Sequence, residues 1–206
     1  MTPDVSMQTE IRFTHARFLA KWIFANFLAG SIAGFLEDHG FQFAATLVFA
    51  GAIAGSCQWL VLRQELRSMR WWPLASALGW VGGSLLQASS NALYRPIVDF
   101  LSAHLGLWEV FWLNIVTNPI PFAAMAIAQG LVLIQHRQFS ARTIGLWVLI
   151  SAIAGAVYGG VSASLCLALC YSLPRVLIGV VAGGGWVAYG LITGWVLLKF
   201  IHSGDD

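Results

Sequence analysis

The sequence predicts an all-α integral membrane protein with six transmembrane helices, arranged as three hairpins in a pseudo-threefold bundle. Of its 206 residues, 58% are hydrophobic and 10% are charged, whereas soluble domains have about 25% charged residues. Several charge-free segments approach twenty residues, the length with which a helix crosses about 30 Å of hydrocarbon. A repeated motif also occurs three times, which indicates one helical unit used three times.

The repeat is Trp-x7-Gly-x3-Gly, and each copy lies in an apolar segment. The three copies are Trp22/Gly30/Gly34, Trp71/Gly79/Gly83 and Trp147/Gly155/Gly159. A weaker similarity links the segments that follow them, which contain Gln58-Trp59, Gln129-Gly130 and Gly194-Trp195. Three hairpins of the same orientation are parallel repeats, related by an axis along the membrane normal.

The predicted spans follow from the charge-free segments in chain order. They cover about 18–36, 43–62, 71–91, 113–134, 144–166 and 177–199. The sequence Asn118-Pro119-Ile120-Pro121 predicts a break near the start of the fourth span. When consecutive spans are paired, they form hairpins at 18–63, 71–135 and 144–199. All three hairpins belong to a single transmembrane domain, 1–206.

The second hairpin carries a long insertion at 95–112, which we expect to be a helix in the outer interface. A seventh span is the alternative, but Asp99, His104 and Glu109 interrupt it. Trp108 and Trp112 fall at helical spacing and suit the headgroup level. The three polar residues lie on different helix faces, which favours a solvated surface over a catalytic trio.

The basic residues predict the orientation, because short cytoplasmic loops are enriched in Lys and Arg. With both termini inside, Arg95 and Arg175 lie outside. The other nine basic residues lie inside: Arg12, Arg17, Lys21, Arg63, Arg67, Arg70, Arg137, Arg142 and Lys199. An even number of spans with cytoplasmic termini follows.

The glycines of the repeat are interpreted as helix-packing positions. Glycines four residues apart leave one helix face without side chains, so that a neighbouring backbone approaches closely. The alternative is that these faces line a central pore or contact a flat ring such as a chlorin. The tryptophans Trp22, Trp71 and Trp147, together with Arg63, are predicted anchors at the inner interface.

Gln58, Gln129 and Asn26 are the candidate polar contacts inside the membrane. An amide within a span usually forms hydrogen bonds between helices, and contact with a ligand or solute is the alternative. Cys57, Cys166 and Cys170 have no His or acidic neighbours typical of a metal site, and we expect apolar packing positions. A redox role for Cys166 and Cys170 is the minor alternative.

One block resembles a known family of small multi-spanning proteins. Residues 51–63 read GAIAGSCQWLVLR, and Trp71-Trp72 and Ala77-Leu78-Gly79-Trp80 follow. The block is similar to proteins of cyanobacteria and related photosynthetic or filamentous bacteria, with helices that end in Gln-Trp-x-x-Leu-Arg. The resemblance covers about 50–93 and implies a location in a bacterial inner or thylakoid membrane. It implies no activity.

The sequence favours a non-catalytic function. No span carries a central Asp, Glu or Lys, and no nucleotide, zinc or serine-nucleophile motif is present. The net charge of +2 does not indicate nucleic-acid binding. We expect a helix-packing and binding module that contacts the lipid bilayer and assembles with itself or a larger complex, with lipid or pigment as candidate ligands. The cofactor is undetermined, and a small-solute channel along the pseudo-threefold axis is the alternative.

Overall fold

The computed structural model describes residues 5–41, 44–66, 69–135 and 139–202, and within these ranges every regular element is a helix. Arg67 and Arg137, which contribute to the predicted orientation, lie outside the described residues. The α-helices are α1 (Val5–Leu36), α2 (Ala50–Glu65), α3 (Trp72–Ser89), α4 (Asn91–Leu105), α5 (Glu109–Thr117), α6 (Pro119–Leu133), α7 (Ala141–Leu169) and α8 (Arg175–His202).

Five helical segments among the described residues are long and apolar enough to cross a membrane. They are His15–Phe41, Thr46–Glu65, Glu109–Leu133, Ala141–Leu169 and Arg175–Ile201. Helix α3 has 18 residues and corresponds to the predicted third span, but it is not one of these five. Its glycines, serines and Gln87 lower its mean hydropathy.

The described part of the turn between α1 and α2 includes two short π-helical stretches, Glu37–Phe41 and Ala45–Phe49. Gly40 has a φ of 92° in this turn, a conformation that glycine adopts without the steric cost of a Cβ. The turn positions Glu37 and Thr46 opposite each other, and the Thr46 hydroxyl donates a hydrogen bond to the Glu37 carboxylate (2.6 Å).

The predicted outer insertion consists of two helices instead of one. Helix α4 ends at Leu105, Gly106 has a φ of 68°, and α5 begins at Glu109. Arg95 bridges the two helices, since it lies 3.1 Å from Asp99 and 2.8 Å from Glu109. The segment from Glu109 onward therefore belongs to the crossing segment that continues into α6.

The predicted break at 118–121 does not separate two distant helices. Asn118 has helical dihedrals (φ −61°, ψ −28°), and Pro119 is the first residue of α6. A proline at this position lacks only a backbone N–H that would have no partner within the helix. Thus α5 and α6 follow one another as the single span Glu109–Leu133.

The six main helices form a closed ring in which each packs against two neighbours. The order around the ring is α1, α2, α3, α6, α7 and α8, and α8 returns to α1. Helix α5 packs against α7, and α4 packs against α5 at the rim. The buried core therefore occupies the axis of the ring.

Helix α8 contains three consecutive glycines where it passes between α1 and α7. A Cβ on Gly183 would meet the Phe27 ring of α1 at 2.9 Å, and one on Gly185 would meet the Tyr158 ring of α7 at 3.0 Å. A Cβ on Gly184 would meet Leu165 at 2.6 Å. The run lets α8 approach both neighbours closely.

Candidate functional site

A layer of six buried polar side chains crosses the axis of the ring, with one side chain from each of the six ring helices. All are 0–1% exposed. The side chains are Asn26, Gln58, Ser76, Gln129, Ser151 and Thr193. Polar groups in a dry interior are costly unless they are hydrogen-bonded.

Gln58 is the centre of the hydrogen-bond network in this layer. Its Nε2 donates to Oδ1 of Asn26 (2.9 Å), and its Oε1 accepts from Nε1 of Trp72 (3.1 Å). Gln129 donates from Nε2 to Gln58 Oε1 (3.2 Å) and to Oγ of Ser76 (2.9 Å). The network therefore links four helices through side chains alone.

The third pair of helices contributes shorter side chains to the layer. The Thr193 hydroxyl accepts from Nε1 of Trp22 (3.1 Å) and donates to the carbonyl of Tyr189 (2.8 Å). Among the described residues, Gln129 Oε1 and Trp147 Nε1 are buried without a hydrogen-bond partner. The network therefore leaves one acceptor on α6 and one donor on α7 without partners.

Three tryptophans lie one turn below the layer, each four residues before a polar side chain of its helix. Trp22 precedes Asn26, Trp72 precedes Ser76, and Trp147 precedes Ser151; all three rings are 0% exposed. Trp71, the predicted anchor, is 48% exposed instead, and Arg70 lies 5.5 Å above its ring. In the second hairpin, the tryptophan at this level is therefore Trp72.

A layer of packed aromatic rings covers the opposite side of the polar layer. Phe122 lies at its centre, with its ring centroid 4.4 Å from Tyr189, 5.2 Å from Trp80 and 5.2 Å from Trp186. Tyr158 packs against Phe122 (5.0 Å) and Trp186 (5.4 Å). The axis is therefore filled by side chains at two successive levels.

An open cavity of about 730 Å³ lies above the aromatic layer, at the end of the bundle where α1 and α3 end. Trp80, Trp186 and Tyr158 line its inner part. Its other walls contain Glu37 and the polar side chains Thr46, Ser84, Gln87, Tyr94, Asn114 and Asn118. This is a chamber with mixed polar and apolar walls and an aromatic floor, closed toward the axis.

A second cavity of about 620 Å³ adjoins the first and shares four lining residues with it, including Glu37 and Tyr158. Asp38 and Arg175 also line it. Cys166 and Cys170 form a disulfide across one helical turn at its edge. The pair predicted as packing cysteines is thus covalently joined, and Cys57 is free.

The glycines of the repeat make close contacts with neighbouring helices. A Cβ on Gly79 would lie 2.6 Å from the Met125 Cα, and one on Gly83 would lie 2.5 Å from the Pro121 Cα. A Cβ added at the other four glycines would also meet a neighbouring helix. The residues met are Trp186 for Gly30, Ala182 and Gly179 for Gly34, Phe122 for Gly155, and Asn114 for Gly159. All six therefore lie at helix contacts, and Gly30 and Gly34 also line the large cavity.

Basic side chains cover tryptophan rings at the end opposite the cavity. Arg63 lies 4.9 Å from the Trp59 ring, and Lys199 lies 5.6 Å from the Trp195 ring. Both basic residues are exposed, and a cation over an aromatic face is favourable at such sites. This geometry suits the anchoring role predicted for Arg63.

Sequence reasoning identified part of this site. Asn26, Gln58 and Gln129 were predicted as polar contacts, and the structure joins all three through Gln58. It did not identify Ser76, Ser151 and Thr193 as polar members of the layer, or Glu37 and the aromatic floor of the cavity. The signal for Ser76 was available, because Trp72 precedes it by four residues, as Trp22 precedes Asn26.

The cavity combines one carboxylate, Glu37, with hydroxyl, amide and aromatic side chains. Within the described residues, no group of three or more His, Cys, Asp or Glu side chains lies close enough to hold a metal ion. Comparisons with models of protein families, with curated proteins and with solved structures found no match to this chain.

Proposed function

We propose that the protein is a non-catalytic, membrane-embedded binding module that holds a small molecule in the cavity above a sealed axis. The observation that carries the proposal is the filled axis: a cavity of about 730 Å³ ends on an aromatic layer, and a polar layer lies behind it. A ligand that enters the cavity finds apolar and aromatic surface with a few polar groups, which is the usual character of a small-molecule site.

The sealed axis argues against the alternative of a solute channel. A conducting path needs polar groups that replace the hydration shell of the solute along its whole length. Here the polar groups bond to each other, as Gln58 does with Asn26 and Gln129. The ring of Phe122 packs against four other aromatic rings directly above them.

We also propose that the six ring helices derive from three equivalent hairpins. Each first helix carries a buried Trp and a buried polar side chain four residues later. Each second helix carries one buried polar residue at the same level: Gln58, Gln129 and Thr193. The alternation of first and second helices around the ring supports a pseudo-threefold axis along the membrane normal.

For the location, we propose a bacterial inner or thylakoid membrane with both termini in the cytoplasm. The resemblance of residues 50–93 to cyanobacterial-type membrane proteins supports the source. The basic residues at the end opposite the cavity support the orientation. The disulfide Cys166–Cys170 lies near the cavity end, where an oxidising compartment would preserve it. Self-association or assembly into a larger membrane complex is part of this proposal.

Two measurements test the binding function. Liposomes that contain the purified protein should show the permeability of protein-free liposomes to water, glycerol, urea and potassium. Native mass spectrometry should detect a co-purified small molecule, and Ala88→Trp should remove it because Ala88 lines the cavity. Leu85→Trp is the matched control, since Leu85 on the same helix is 55% exposed and does not line the cavity.

The outcomes separate the two functions. Retention of the small molecule in Leu85→Trp and its loss in Ala88→Trp support a binding module. Solute flux in the wild-type protein that Ala88→Trp abolishes would instead assign the cavity to a transport path.

A further inference from the structure

We infer that the large cavity binds an organic cation, specifically the ammonium group of an alkylammonium compound. This inference rests on the proposed binding function and names its ligand class. The charge of the cavity is the first argument. Among the eighteen described residues that line it, Glu37 alone carries a charged side chain, and none is Lys, Arg or His. When Glu37 is ionised, this lining therefore carries a net negative charge.

Glu37 is held in place without a cationic partner in the described part of the chain. Its carboxylate accepts a hydrogen bond from Thr46 (2.6 Å), and the ion pairs of Arg95 with Asp99 and Glu109 do not involve it. A half-buried carboxylate with one neutral hydrogen bond favours a positively charged group beside it. A ligand cation would provide that group.

The aromatic side chains of the cavity are the second argument. Trp80, Trp186 and Tyr158 line its floor, and Tyr94 lines its wall. Aromatic faces attract cations through their quadrupole, and cages of such rings are a common way to bind quaternary ammonium groups. The hydration shell of a tetraalkylammonium ion is weak, so an aromatic wall can replace it.

Thr46 joins the Glu37 carboxylate to the aromatic floor of the cavity. The indole Nε1 of Trp80 donates to the backbone carbonyl of Thr46 (2.6 Å), and the hydroxyl of Thr46 bonds to Glu37. The acid and the Trp80 ring are therefore fixed on the same side of the cavity. A single ammonium group can contact both.

The composition of the walls disfavours a metal ion. Calcium takes six to eight oxygen ligands, and magnesium demands an octahedral set. Glu37 offers one carboxylate, and the Asn118 amide is bonded to Asn114. The cavity of about 730 Å³ also exceeds the needs of a bare ion and has room for an alkyl portion.

The primary test compares choline with its neutral isostere. Protein in dodecyl maltoside is titrated with choline and with 3,3-dimethylbutan-1-ol, in which carbon replaces the charged nitrogen, and binding is followed by calorimetry. We expect choline to bind at least about tenfold more tightly, because the isostere lacks the attraction to Glu37. Equal binding of the two compounds, or binding of neither in any lipid or detergent, would overturn the inference. This comparison uses the wild-type protein alone, so a folding defect in a variant cannot affect its result.

Variants then assign the cation to Glu37. Glu37→Gln retains an oxygen that accepts from Thr46 and removes the charge, so choline affinity should fall about tenfold or more. Glu109→Gln is the matched control, since Glu109 pairs with Arg95 outside the cavity and its change should leave choline binding unchanged. Unchanged affinity in a folded Glu37→Gln protein would contradict the assignment.

A lipid headgroup and a free cation share this chemistry, and nanodiscs separate them. Native mass spectrometry of protein from phosphatidylcholine and phosphatidylglycerol nanodiscs shows which lipid remains bound. Retained phosphatidylcholine that depends on Glu37 identifies a headgroup, and choline binding without lipid retention identifies a free cation. If the protein instead retains phosphatidylglycerol, and Ala88→Trp removes this lipid, the inference that the ligand is a cation is refuted. The proposed binding function is then left intact. Solute flux with no retained molecule would refute the binding function itself.

Discussion

Replacement of Gln58 by leucine should destabilise the bundle more than any other single change in the polar layer. Gln58→Leu nearly preserves side-chain volume and removes both hydrogen-bonding groups of the amide. Three hydrogen bonds between helices end on this side chain: one to Asn26, one from Trp72 and one from Gln129. The change leaves these partners in an interior where water does not replace them.

The magnitude follows from these contacts. Hydrogen bonds between membrane helices contribute about 0.6 kcal/mol each on average, so three contribute about 2 kcal/mol. Trp72 Nε1 loses its partner, and so does Asn26 Oδ1, whereas Gln129 keeps its bond to Ser76. An unsatisfied buried group costs about 1–3 kcal/mol, so we expect the free energy of unfolding to fall by about 2–4 kcal/mol.

Unfolding by sodium dodecyl sulfate in mixed micelles, followed by tryptophan fluorescence, measures this loss. Ser56→Leu is the control, because Ser56 lies on the same helix, is exposed and donates to the Ala52 carbonyl of its own helix; its change should alter stability by less than about 0.5 kcal/mol. Gln58→Leu combined with Gln129→Leu should cost less than the sum of the single changes, since the two side chains share a hydrogen bond. A Gln58→Leu protein as stable as the wild type would refute the claim that the hydrogen bonds of Gln58 stabilise the bundle.

Two further predictions concern packing and orientation. Gly83→Leu should lower the unfolding free energy by about 1–3 kcal/mol, because a Cβ there would lie 2.5 Å from the Pro121 Cα. Gly82→Leu is its adjacent control, where a Cβ would meet nothing within 4 Å, and equal effects of the two changes would exclude packing as the cause. On a cysteine-free background, His104→Cys should react with an impermeant maleimide from outside the cell, and Ala141→Cys only after the membrane is opened. Labelling of Ala141→Cys in intact cells would reverse the proposed orientation.

The sequence predicted helices and their approximate positions well, because apolar length is a direct physical signal for a membrane helix. It could not identify every side chain that fills the core. The repeat contains Trp71, predicted as an interface anchor, whereas the fully buried ring that matches Trp22 and Trp147 is Trp72. A shift of one residue rotates a side chain by about 100° around the helix, and only the neighbours of α3 decide between adjacent tryptophans.

The cavity could not be predicted for a different reason. Its charged group, Glu37, lies in a turn, and turns at span ends are usually solvated. The contacts that define the site join positions far apart in sequence, as Trp80 does with Thr46 and Phe122. Thr193 also escaped notice, since a single threonine in an apolar helix commonly bonds to its own backbone.

The glycine run 183–185 lowers the intrinsic helix stability of α8 at one level. Each glycine lowers helix preference by about 1 kcal/mol relative to alanine, and the run holds its helical form where α1 and α7 approach it from either side. Separation of these neighbours would remove that support, and α8 would bend at this level first. Because Trp186 follows the run directly and lines the cavity floor, such bending would move an aromatic wall of the ligand site while Thr193, two turns further along, stayed in the polar layer.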